Sequence, residues 1–137
     1  MIDVFFEDIP EFNFDVLFYS NWIDSFLTKE DFLLGDLTII FCSDSFLLDL
    51  NKKHLNHDYF TDIITFDYSL DCHISGDLFI SVDRVLENAN TYNELYFTEL
   101  QRVIAHGVYH LCGYLDKTED DILLMRSKEQ FALSLIF

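Results

Sequence analysis

The stretch DIITFDYSLDCHISGDLFISV, residues 62–82, decides the fold. After Asp62 the run IITFDY is rich in β-branched and aromatic residues and reads as a strand. SLDCHISGD reads as a turn and DLFISV as a second strand, so the pair predicts an antiparallel hairpin with a longish loop. Upstream, SDSFLLDLNKKHLN has Ser43 as N-cap and Phe46, Leu47, Leu50 and Leu55 at helical spacing. Further out, Gly35-Asp36 punctuates the chain before LTIIFC, a buried strand. FDVLFYSNWIDSFLTKE is helical, with Val16, Tyr19, Ile23, Phe26 and Leu27 on one face, and IDVFFEDI opens the chain as a strand. Strands linked through helices favour parallel pairing, and the hairpin adds one antiparallel member. Downstream, a helix from about Val82 to Asn90 breaks near Tyr92-Asn93. A long helix follows from about Tyr96 to Cys112, and a last one opens on the capping-box-like Thr118-Glu119-Asp120-Asp121. The expectation is an α/β fold of the α+β type: one domain over residues 1–137, with a mixed four-stranded sheet and packed helices.

Composition agrees with one domain. Half of the 137 residues are apolar, with 15 Phe and 7 Tyr, against one Pro and four Gly. No apolar run approaches the roughly 20 residues that cross a bilayer, so no membrane partner is expected. Cys42, Cys72 and Cys112 are odd in number and form no CxxC pair, which suits reduced thiols. MIDVFFEDIP carries acids and no basic leader region, so the expected location is the cytoplasm. The net charge of −17, from 25 acids against 8 Lys and Arg, repels phosphate backbones. DNA is not an expected partner. An RNA partner needs a local basic feature, for which Lys52-Lys53-His54, with His57 close behind, is the sequence candidate; a solvated helix surface explains the same residues.

The chemistry concentrates in HGVYHLCGYLD, residues 106–116. Leu100, Val103, Ile104, Gly107, Val108 and Leu111 form a core-facing stripe of the long helix. His106 and His110 fall on a neighbouring stripe with Glu99 and Arg102, about 6 Å apart along the axis and pointing nearly the same way. Two imidazoles so placed can close on one zinc ion. Were the helix to continue, Asp116 would lie about 9 Å beyond His110 and roughly 120° around the axis. Gly113 permits the left-handed turn that ends helices, so the chain can fold back and deliver the Asp116 carboxylate as third ligand. His106, His110 and Asp116 then leave a fourth position open, as hydrolytic zinc sites do. Structural packing of a histidine pair is the competing explanation. Cys112 points away and reads as a core residue, and Glu119, Asp120 and Asp121 are explained by helix capping. Position 107 is Gly, so the glutamate base of an HExxH protease is missing.

These residues resemble the YbeY family of bacterial rRNA-maturation endoribonucleases, which carry H-G-x-L-H-L-x-G-Y-D-H near the C-terminus. His106, Gly107, His110, Leu111, Gly113 and Tyr114 match. The family's third histidine falls on Asp116 and its preceding aspartate on Leu115. LNKKHLNHDYFTDIITF, residues 50–66, is similar to a second family pattern through Leu50, Asn51, Asp58, Thr61, Asp62 and Phe66, with Leu55 in the place of an arginine. GDLFIS, residues 76–81, is similar to a third, and the likeness runs from about residue 35 to 130. The resemblance implies a zinc-bearing α/β fold, cleavage of single-stranded RNA, and a role in small-subunit rRNA processing and ribosome quality control. It carries the zinc ligands onto His106, His110 and Asp116. The sequence does not name a general base: Asp62 is the nearest motif carboxylate, and a cap at the strand entry explains it equally well.

The leading expectation is therefore a hydrolase: a zinc-dependent endoribonuclease with one Zn2+ and single-stranded rRNA as substrate. The alternative is a metal-stabilised, non-catalytic ribosome-assembly module whose acidic surface meets a basic ribosomal protein of the small subunit. A zinc hydrolase of some small substrate would have a closed pocket rather than an open groove.

Overall fold

The computed structural model describes residues 1–55 and 60–136; His57 and Asp58 fall outside these, as does the side chain of Leu55. Nine elements follow one another: β1 (Ile2–Phe6), α1 (Val16–Thr28), β2 (Leu33–Cys42), α2 (Asp44–Leu55), β3 (Ile63–Asp67), β4 (His73–Ser81), α3 (Val82–Thr91), α4 (Tyr96–Leu111) and α5 (Glu119–Ser134). The sheet order is β1-β2-β4-β3. β1 and β4 run parallel to β2, and β3 runs antiparallel to β4 in the expected hairpin.

Two boundaries differ from the sequence reading. Gly35-Asp36 does not interrupt the second strand: β2 starts at Leu33, and the turn residues are absorbed in a register shift between Leu34 and Leu37. The fourth strand begins at His73 rather than Asp77, because the hairpin turn is confined to the residues around Asp71, whose φ is +55°. On α1, Trp22 joins the buried face and Val16 is exposed; the indole Nε1 donates to the Ala132 carbonyl of α5 at 2.7 Å.

One face of the sheet carries the main core. Ile23, Phe26 and Leu27 of α1 meet Ile39 and Phe41 of β2, Leu78 and Ile80 of β4, and the predicted stripe of α4. The opposite face is covered by α2, whose Leu47 packs with Cys42 and Ile64, flanked by Phe46, Leu50, Phe66 and Phe79. The caps follow side-chain chemistry. Ser43 Oγ accepts from Phe46 N–H, and Ser81 Oγ accepts from Arg84 N–H. Thr118 and Asp121 form a reciprocal capping box, which accounts for the acids opening α5.

Gly76 brings the site-bearing helix down on the sheet. A Cβ there would stand 2.4 Å from the Phe66 carbonyl oxygen and 3.1 Å from both Leu111 methyls. Only a residue without a side chain lets β3 and the end of α4 close on β4 together.

Candidate metal centre

The α4 stripe buries Leu100, Val103, Ile104, Val108 and Leu111, which turns the His106–His110 edge toward a surface cleft. The helix then stops as predicted. Gly113 has φ +102°; its N–H donates to His110 O, and Tyr114 N–H donates to Tyr109 O, the paired bonds of a Schellman motif. The Tyr109 and Tyr114 rings meet edge to face at 5.7 Å. Tyr114 Oη donates to Glu30 Oε2 at 2.8 Å, and Lys128 Nζ binds the other Glu30 oxygen at 2.7 Å, so the loop after α4 is pinned to both α1 and α5 neighbours.

That loop returns Asp116 to the histidines. His106 Nε2 and His110 Nε2 lie 2.9 Å apart, and Asp116 Oδ2 lies 3.2 Å from the first and 3.3 Å from the second. The three residues form a group that can hold a metal ion. Donors arranged tetrahedrally around zinc at 2.0–2.1 Å stand about 3.3 Å from each other. The triangle has that scale.

The remaining ring nitrogens decide the chemistry. His110 Nδ1 faces the Tyr114 carbonyl oxygen at 2.9 Å, an acceptor only, so Nδ1 carries the proton. His106 Nδ1 faces Glu129 Oε2 at 2.6 Å. Burial alone would raise the Glu129 carboxyl, but the His106 hydrogen bond and the Arg102 charge hold it below the usual glutamate range. Glu129 is therefore an acceptor too. With each Nδ1 facing an acceptor, both Nε2 atoms are left to point at the place where Asp116 aims an oxygen. Three electron-rich atoms facing one point can hold a metal ion, and a divalent metal fits the donor set.

Behind the triad stands a network that sequence spacing did not disclose. Arg102 binds Glu99 through Nε and Nη2 and Glu129 Oε1 through Nη1 at 3.0 Å, and its Nη2 lies 3.8 Å from Asp62 Oδ2. Glu99 and Glu129 are both buried. Arg102 thus fixes the carboxylate that fixes His106. The signal available in the sequence was Glu99 and Arg102 on the histidine stripe; nothing local tied Glu129 to them. Cys112 packs at the edge of the core, as its position on the helix implies, and burial pushes its thiol up to about 12.

Two clefts meet at the triad. One, of about 470 Å³, has a wall formed by β3 residues and Asn51, and Lys117 at its rim. The other, about 310 Å³, opens toward α3 and α5; His106, Asp116 and Asp62 border both. The ligand side chains keep partial exposure, from 19% at His106 to 43% at Asp116, so the site opens to solvent rather than lying in a closed pocket. Lys52, Lys53 and His54 lie on the exposed end of α2, with Lys53 paired to Asp49 at 3.4 Å. The cations bordering the clefts are instead Arg102, Lys117 and Arg126, which sequence reasoning did not connect.

Gly113 also allows a direct test. A Cβ at this position would meet nothing within 4 Å, so the cost of Gly113→Ala comes from φ +102° alone. The variant is expected to lose about 1–3 kcal/mol in denaturant unfolding. Unchanged stability would mean that the helix stop has a different conformation.

Fold and site together define a mixed-sheet α/β domain that presents two histidines and a carboxylate, at the end of one helix, to an open surface. The family model for endoribonuclease YbeY matches residues 8–136. An endoribonuclease YbeY of Flavobacterium psychrophilum is 47% identical over 131 residues, covering 90% of this chain and 94% of that one. That of Azobacteroides pseudotrichonymphae is 50% identical over 117 residues, covering 85% and 84%. The solution structure of TM1509 from Thermotoga maritima superposes with a TM-score of 0.67 at 23% identity, over 99% of this chain and 89% of that one, a likeness of fold. The chain belongs to the endoribonuclease YbeY family. No helix among the described residues is long and apolar enough to cross a membrane.

Proposed function

We propose that this protein is a zinc-dependent endoribonuclease that cuts single-stranded RNA in small-subunit rRNA maturation, in the cytoplasm. The observation that carries the reading is the convergence of His106 Nε2, His110 Nε2 and Asp116 Oδ2 on one point, with both Nδ1 atoms committed to acceptors. The relatives' shared name, endoribonuclease, supplies the substrate class. Zinc held by these residues supplies Lewis acidity toward a phosphoryl oxygen and a nucleophile near neutral pH.

The chain's own residues do the rest. Three of the eight Lys and Arg residues, Arg102, Lys117 and Arg126, border the two clefts of a protein with net charge −17. Lys117 and Arg126 are exposed at the clefts and can meet a phosphodiester, whereas the Arg102 guanidinium is already bound by Glu99 and Glu129. Asp62, at the entry to β3, borders both clefts, which supports it as the carboxylate that would take a proton in the reaction. Burial pushes its carboxyl up while His106 and Arg102 draw it down.

Protein purified without added metal should contain about one equivalent of zinc by elemental analysis. It should also cleave single-stranded rRNA fragments, with His110→Ala slower by about 100-fold or more. Equal cleavage by both proteins would identify a contaminating nuclease and leave the docking of a basic ribosomal protein as the better account.

A further inference from the structure

The second cleft has a lining that holding a metal does not require. Tyr92, 60% exposed just past α3, stands at its edge. Asn88, one helical turn earlier, contributes an amide that both donates and accepts. From α5 come the apolar Ile122 and Met125 and the guanidinium of Arg126, whose side chain is 54% exposed. An exposed aromatic ring, a guanidinium plane, an apolar floor and one amide are the groups with which proteins hold an unpaired base.

We propose that this cleft is a nucleobase pocket for the nucleotide next to the phosphodiester held at the triad. Tyr92 and Arg126 stack the base over Ile122 and Met125, and Asn88 hydrogen-bonds its edge. The inference rests on the reading of the chain as an RNA-cutting enzyme and extends it to the substrate's conformation. His106 and Asp116 border the pocket, so a base seated there carries its own phosphate toward the metal position. About 310 Å³ lies at the low end of the roughly 300–1,000 Å³ of small-ligand sites, which suits one splayed base. A base held in a duplex is stacked and paired and cannot enter. The pocket thus makes single-strand preference a consequence of shape. Stacking tolerates every base, so sequence preference should be weak and come through Asn88.

The test is a chemical mutant cycle on metal-loaded full-length protein with a short single-stranded RNA. Tyr92→Ala should raise KM about tenfold with kcat little changed, and Tyr92→Phe should restore it. For the wild type, an abasic nucleotide scanned along the RNA should reproduce that loss at one position flanking the cut. Combined with Tyr92→Ala, the same abasic substrate should lose nothing further, since both changes remove one contact. A 2-aminopurine at that position should be quenched by wild type and not by Tyr92→Ala, a readout independent of turnover. If wild type cuts but Tyr92→Ala keeps its KM, or if the two losses multiply, the pocket alone is overturned. If wild-type protein cuts no RNA, the enzyme reading falls and the pocket with it.

Discussion

Asp116→Ala is expected to strip the centre of its cation. Two imidazoles one helical turn apart remain, but the third donor of the described group, and the negative charge it carries, are gone. Removing an outer partner of a metal ligand typically costs 10–100-fold in affinity, and a ligand removed outright should cost more than that. Competition against a chelating dye gives the number. Melting gives a second view: a cation that binds only the folded state raises the transition temperature, so added zinc should stabilise wild type and leave the variant unmoved. Asp116→His is the informative control, since a third imidazole keeps three donors and should retain the ion. Wild-type affinity in Asp116→Ala would remove the carboxylate from the site, however close it stands.

Arg102→Met is the second large effect, and it reaches the site through stability. The change takes the shared guanidinium from buried Glu99 and Glu129, leaving Glu129 with His106 and with Arg126 at 3.6 Å. Breaking a buried ion pair from one side typically costs 3–5 kcal/mol, so the variant should unfold at distinctly lower denaturant concentration. The pH dependence has a definite sign. In wild type the Glu129 carboxyl is held low, so its contribution is present above the unfolded glutamate range and is lost as pH falls through its folded value. Without Arg102 that carboxyl titrates at higher pH, and the deficit of the variant should shrink as the solution is acidified. A deficit independent of pH would point to lost packing instead.

Much of this architecture could be read in advance, for identifiable reasons. The α4 stripe and the Gly113 stop are local: periodicity and one residue free to take positive φ determine them. The hairpin was legible because its strands are β-branched and adjacent in the chain. The length of β2 was not, since Gly35-Asp36 has the chemistry of a turn and only pairing with β4 carries the strand through it. The approach of Asp116 to His106 and His110 was legible from the one-turn histidine spacing together with the Gly113 stop. The Arg102–Glu129 support was not, because it joins two helices across 27 positions and no periodicity predicts which acid of α5 faces inward. Asn88 fell inside the predicted helix and Tyr92 at the break after it; their approach to the triad exists only once α3, α4 and α5 have packed.

The Schellman turn at Gly113 has one more consequence. The Tyr114 carbonyl at its end orients His110; Glu99 and Arg102 lie on α4 before it, Asp116 in the loop after it and Glu129 on α5, so the candidate site is built from one helical hairpin. Chain closures that short cost little entropy and are made early, before the distant β1 edge need be in place. Substitutions at the far β1 edge should therefore lower the stability of the domain while leaving the zinc affinity of the folded protein little changed.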